Sequence, residues 1–157
     1  MRLTRFSDIG LRVLMYLARS PRGDLVTVAE FSQQFDVPHN HVVKVIGALA
    51  RHGWVQTTRG RHGGIQLQTA PESMRVGDIM RTLEGDKEAV DCTGLDCRLA
   101  GNCFLRHALR AAVDAFYESM NRHTVADLVG SNTGEQIIEI HRQYLREPAE
   151  DTEKEML

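Results

Sequence analysis

Cysteine is scarce in this 157-residue sequence: there are three, all between Cys92 and Cys103 in the segment CTGLDCRLAGNC. No run of about 18 apolar residues exists, which excludes a membrane-spanning helix. The start, MRLTRFSDIG, has no apolar stretch of the kind that heads a secretory signal. A cytoplasmic protein is therefore expected, and thiols in that compartment stay reduced. An odd number of cysteines there points to metal or redox chemistry rather than to structural disulfides. Catalytic groupings are also missing. No Ser-His-Asp set or carboxylate pair stands in a context that suggests an active site, so no enzyme is expected. There is no internal repeat, and 42% hydrophobic residues suffice for one core and at most a small second element.

What is present is unevenly charged. Residues 1–70 hold nine Lys/Arg against four Asp/Glu, a balance of +5, while the rest holds ten against seventeen, a balance of −7. His39, His41, His52 and His62 add to the basic half. Such a split suits a head that faces a polyanion and a remainder with another task.

The pattern within the head is three helices and a hairpin. Phe6, Ile9, Val13, Tyr16 and Leu17 recur at helical spacing over about 3–18. Pro21-Arg22-Gly23-Asp24 breaks that run. Thr27-Val28-Ala29-Glu30 reads as a capping box that opens a second helix through Phe35. Pro38 suits the first turn of a third helix, with Val42, Val45, Ile46 and Leu49 inward and Gly53 as its stop. WVQTT, RGRHGG and IQLQT then read as strand, glycine-bearing turn and strand. Beyond the head, helices are expected over Val76–Leu83, over Phe104–Arg122, within TVADLV behind Thr124, and over Glu135–Arg146. The stripe of the long helix (Leu105, Leu109, Ala112, Val113, Phe116, Met120) is too broad for the remaining elements to cover, so a partner chain is expected. EPAEDTEKEML is acidic, without apolar period, and reads as a loose tail. The fold class expected is mainly α with a small β-hairpin, a winged helix-turn-helix head plus a long dimerisation helix.

In that architecture the start of the third helix enters the major groove. Here it offers His39, Asn40, His41, Val43 and Lys44. Asparagine can pair with adenine, and lysine with guanine or phosphate. The hairpin tip offers Arg59, Arg61 and His62 among glycines, and arginine suits a narrow minor groove. Singly, Lys44 reads as a solvated charge and Asn40 as a cap. The constellation supports double-stranded DNA as the partner.

For the C-x4-C-x5-C segment several chemistries compete. Zinc favours tight cysteine pairs, usually two of them, and would need a carboxylate or histidine to complete three thiols. A disulfide switch leaves one thiol over, and inert buried thiols do not suit so polar a segment. An iron–sulfur cluster fits better, because intervals of four and five residues with small spacers can span it. Three thiolates plus one oxygen suit a 4Fe-4S cubane, with 2Fe-2S the alternative. Asp91, Asp96 and His107 are nearby fourth donors.

Over nearly its full length the chain resembles the Rrf-two family of winged-helix regulators, and within it the nitric-oxide-sensing repressors. The matching pieces are MRLTRFSDIGLRVLMYLA, VPHNHVVKVIGALARHGWV, RGRHGGIQL, the cysteine segment and TVADLV. The family's regulators of iron–sulfur assembly match less well. Their third cysteine is followed by histidine after two residues, whereas Phe104, Leu105 and Arg106 separate Cys103 from His107 here. The resemblance implies a homodimer joined by the long helix, which binds palindromic operator DNA. It implies a cluster held by Cys92, Cys97 and Cys103 of one subunit, with Asp8 from the other as oxygen ligand. From the residues alone Asp8 reads as a surface charge of the first helix. The implied organisation is a DNA-binding domain over 1–70, a cluster-binding loop and dimerisation helices over 71–146, and a flexible tail over 147–157. The implied function is repression relieved by nitric oxide. The rivals are a regulator that senses iron–sulfur or redox status, and an electron carrier, which would have no use for a basic head.

Overall fold

The computed structural model describes residues 2–85, 88–92, 97–99 and 101–146; the expected tail, 147–157, lies outside them. Helix α1 (Arg5–Ala18) begins where the Thr4 hydroxyl accepts the Ser7 amide, 3.3 Å away. Helix α2 (Val28–Phe35) begins behind Thr27, whose hydroxyl accepts the Glu30 amide at 3.0 Å. Helix α3 (His39–Arg51) follows Pro38 and ends at Gly53, where φ is +73°, a conformation that glycine adopts without a side-chain clash. Strands β1 (Val55–Thr58) and β2 (Gly64–Leu67) pair antiparallel from Val55–Leu67 to Thr58–Gly64. Val26 adds a bridge to Ile65, which fixes the hairpin to the entrance of α2. A short 3-10 turn (Pro71–Ser73) leads to α4 (Val76–Glu84), then come α5 (Phe104–Met120), α6 (Val125–Leu128) and α7 (Ser131–Arg146). The described residues are thus mostly helical with one two-stranded hairpin, the winged-helix arrangement expected from the sequence.

Head and remainder share one core. Val13, Phe31, Leu49 and Ile65 pack in the same buried cluster as Met74, Ile79, Val125 and Ile137. Helix α1 lies between α3 and α4, and Thr4 is tied to the far end of α4 by its amide and hydroxyl, 2.8 and 3.0 Å from Glu84 Oε1. Helix α4 crosses α5 at Gly77: a Cβ there would stand 2.1 Å from the Tyr117 carbonyl oxygen, so only glycine allows so close an approach. Beside that crossing, Asn121 Oδ1 accepts the Asp78 amide at 2.8 Å. Thr124 and Asp127 form a complete capping box before α6. Helix α7 starts four residues earlier than its apolar period suggests. SNTG reads as a turn, but Gly134 packs so tightly on the Val129 carbonyl that a Cβ would lie 2.1 Å away.

The capping box expected at Thr27 is only half formed. Glu30 does not reach back to the start of α2. Its carboxylate, 1% exposed, turns into the core and accepts from the Tyr16 hydroxyl at 2.8 Å and from the Arg22 guanidinium. His141 of α7 completes the group. It stacks on Tyr16 with ring centroids 3.7 Å apart, and its Nε2 is 2.9 Å from the Tyr16 carbonyl oxygen. Its Nδ1 lies 3.6 Å from Glu30 Oε1, beyond hydrogen-bond length. A buried carboxylate without partners would be costly, and the two donors Tyr16 and Arg22, with His141 beside them, explain why it turns inward. Burial opposes ionisation of Glu30, but His141, Arg22 and Tyr16 outweigh it and hold the carboxyl below its usual range. A group depressed in this way stabilises the fold above its unfolded pKa of about 4.5, and the contribution is lost as pH falls through the lower folded value. The melting temperature of the wild type is therefore expected to fall below that pH, and Glu30→Gln to flatten the dependence. Equal acid sensitivity in the two proteins would contradict this role for Glu30.

Candidate functional site

The head presents two basic elements on one side. On α3 the apolar face (Val42, Val45, Ile46, Leu49) is buried, and this leaves His39, Asn40, His41 and Lys44 exposed with Val43 at 47%. Pro38, with no side-chain cap, precedes the helix, so Asn40 is not its N-cap. At the hairpin tip Arg59, Arg61 and His62 are all exposed. The turn is closed by the Gly63 amide on the Gly60 carbonyl at 2.9 Å, and a Cβ on Gly63 would meet Thr58 O at 2.3 Å. Helix and wing line a common cleft of about 360 Å³, with Val43 and Gly47 on one wall and Thr57 and Arg59 on the other. A second cleft of about 270 Å³ runs between α1 and α3 and is lined by Arg5, His41 and Lys44. Arg5 counts in the basic balance of the head, but nothing in its local sequence marks it. Only the packing of α1 on α3 places it beside Lys44. His52 stacks on Trp54 at 5.1 Å.

The thiols lie in the segment between α4 and α5. Cys103 is the residue before α5; it and Cys92 are half-buried, Cys97 is exposed, and all three are free. None belongs to either buried apolar cluster. Thr93, Gly94, Leu95, Asp96 and Ala100 lie outside the described residues, and with them the rival donor Asp96. Asp91 and His107 are exposed. Asp8 is half-exposed on α1, and within its own chain its Oδ1 accepts from Arg12 Nε at 2.9 Å. Among the described residues of one chain, no three His, Cys, Asp or Glu side chains gather as a metal group. The donor set nevertheless fits an iron–sulfur cluster. Three unlinked soft thiols are within reach of solvent, and no fourth cysteine competes for the last position.

Helix α5 offers little to its own chain. Of its 17 residues only Tyr117 is buried, held against Val76 and Met80. Phe104 is 85% and Leu105 61% exposed, with Leu99 just before them at 69%. Leu109, Val113, Phe116 and Met120 are half-covered. An apolar stretch of this length in water marks a surface that another chain covers. Among the described residues no helix is long and apolar enough to cross a membrane.

Comparison with known proteins agrees with this arrangement. Residues 3–131 match the model of the Rrf2 family, described as "Iron-dependent Transcriptional regulator". Among solved structures the chain is similar to CymR (YrzC), the global cysteine regulator of B. subtilis, at 24% identity and TM-score 0.64, over 82% of this chain and 95% of that one. It is similar to a transcriptional regulator of Listeria innocua at 28% identity and TM-score 0.66, over 85% and 89% of the two chains. It is also similar to IscR of T. potens at 20% identity and TM-score 0.64, over 82% and 86%. With the exposed α3 and wing, the match over most of its length leads to one conclusion: the chain belongs to the Rrf2 family of transcriptional regulators and is not an enzyme.

Proposed function

We propose that this regulator is a homodimeric repressor that binds palindromic operator DNA and senses nitric oxide through an iron–sulfur cluster, as the NsrR repressors do. The observation that carries the reading is three free thiols in the segment that leads into α5, the helix whose apolar face its own chain leaves uncovered. Residues 1–70 serve as the DNA-binding part and 71–146 as the cluster-binding loop and dimerisation helices. Cys92, Cys97 and Cys103 hold the cluster, with Asp8 of the partner subunit as the oxygen ligand; 4Fe-4S suits that donor set better than 2Fe-2S. A bound cluster supplies iron that reacts with nitric oxide, most readily where its ligand is the weaker oxygen donor.

The chain's own residues then do the regulatory work. Asp8 is on α1, and α1 packs on α3. A carboxylate engaged across the dimer therefore fixes the separation of two α3 helices, and a palindrome requires about one helical turn or a small multiple between its half-sites. Release of Asp8 frees the heads from that register. Asn40, His41, Val43 and Lys44 meet base edges and phosphates, and Arg59, Arg61 and His62 enter the neighbouring minor groove. Arg5, beside Lys44 in the α1–α3 cleft, adds a phosphate contact.

Lys44→Ala and Arg59→Ala are each expected to weaken operator binding by about three- to tenfold and to reduce the salt slope by about 0.9 for each phosphate no longer neutralised. Both residues are exposed, so folding and iron content should not change. Fluorescence anisotropy across a salt series checks this. Unchanged affinity and slope in both variants would take the wing and α3 out of the interface.

A further inference from the structure

The segment with the three thiols lies between α4 and α5, and among the described residues Glu88 and Arg106 join its two ends. Arg106, in the first turn of α5, donates from Nε to Glu88 Oε2 at 2.8 Å and from Nη2 to Oε1 of the same carboxylate. Both oxygens are thus taken by one guanidinium fork, the geometry with the best directional fit for an arginine–carboxylate pair. Glu88 stands four residues before Cys92, and Arg106 three after Cys103. The fork joins residues 18 positions apart, and every thiol of the chain lies between them.

This pair is not needed to hold α4 on α5. That packing has its own ties: Arg81 to Asp114 at 2.9 Å, Arg81 over the Tyr117 ring at 4.7 Å, and the close crossing at Gly77. The Arg106 guanidinium is held in its charged form first by its hydrogen bonds to Glu88.

We infer that Glu88 and Arg106 are positioning residues for the thiol centre, a latch that ties the two ends of the cysteine segment so that less freedom is lost when its three thiols converge on one cluster. The inference rests on the proposed cluster reading. An open loop must lose conformational freedom when its thiols converge on one group, and a loop already closed loses less. Arg106 also offsets the charge that accumulates when three thiolates are brought together. The latch is more than a third exposed on both sides, so solvent screens it and it adds little to the stability of the fold. Retention of the cluster can therefore change while folding does not.

The test uses the full-length protein, reconstituted anaerobically. Iron and acid-labile sulfide per chain are measured, with the rate of iron loss to excess chelator. The proteins are wild type, Glu88→Ala, Arg106→Ala, the double variant, and the exchange Glu88→Arg with Arg106→Glu; Arg81→Ala is the control. Each single variant is expected to lose iron about three- to fivefold faster than wild type, as suits a partly screened pair. The double variant should be no faster than either single, because the two residues act as one unit. The exchange should recover part of the loss, and Arg81→Ala should match wild type. Melting of the metal-free proteins should be alike. Wild-type release rates in both singles overturn the latch, as does equal acceleration in Arg81→Ala, which would assign the effect to α5 packing at large. A wild type that takes up neither iron nor sulfide overturns the cluster reading itself, and the latch with it.

Discussion

Serine in place of any one of Cys92, Cys97 or Cys103 is expected to abolish the visible absorbance of the anaerobically purified protein and remove most of its iron and sulfide. The fold should survive. Cys97 is exposed, the other two are half-buried, and none packs in the core, so each change resembles a surface substitution, within about 0.5 kcal/mol. The chemical effect is far larger. Iron–sulfur clusters are held by thiolates, and a serine hydroxyl is a hard, weakly acidic donor that does not replace one. Iron and sulfide analysis beside circular dichroism separates the two effects. A single serine variant that keeps a full complement of both elements would contradict ligation by all three thiols.

Much of the scaffold behind that expectation is legible in the sequence, because its signals are local. Thr124 caps the helix that follows it, Gly53 stops α3, and the period-two alternation of IQLQT makes β2. The wing and the exposed start of α3 follow from the same patterns. What is not legible depends on long-range packing. Thr27 and Glu30 satisfy the capping-box pattern, yet Glu30 turns inward because Tyr16, Arg22 and His141, the last more than a hundred positions away, converge on it. Tyr117 falls outside the expected stripe of α5 but is its one buried residue, because Gly77 brings α4 against it. Arg5 and Arg106 read as ordinary surface charges until α1 is set beside α3 and Glu88 beside α5. For the thiol segment the sequence shows the donors and their spacing, while Asp8 as a ligand comes from family resemblance.

Asp8→Ala is the variant in which a cross-subunit ligand and a surface charge differ in sign. As a ligand from the partner subunit, Asp8 ties one head to the other subunit's thiol centre. Its loss should leave three cysteines holding iron and lower operator affinity by roughly ten- to a hundredfold, the usual span of coupling between two sites. As a surface charge only, its removal from the vicinity of phosphates should strengthen binding slightly. Folding does not confuse the comparison, because the exposed Asp8–Arg12 pair at 2.9 Å is of a kind that contributes roughly 0.3–0.5 kcal/mol. Affinity for one operator duplex is measured with iron content matched between wild type and variant. Tighter binding by Asp8→Ala would remove it from the ligand set.

The most direct measurement follows operator binding and cluster absorbance in the same anaerobic sample as nitric oxide is added. The operator is first recovered from random duplexes by repeated selection on the anaerobic wild-type protein. The selected sites should be palindromes, bound in the presence of the cluster. Stepwise nitric oxide should bleach the absorbance and release the DNA over the same range of additions, and Asp8→Ala should start from weak binding and change little. If the operator stays bound while the absorbance is lost, or if the metal-free protein binds it equally well, the cluster does not control the heads. If cluster removal releases the DNA and nitric oxide does not, the protein reads iron–sulfur or redox status instead.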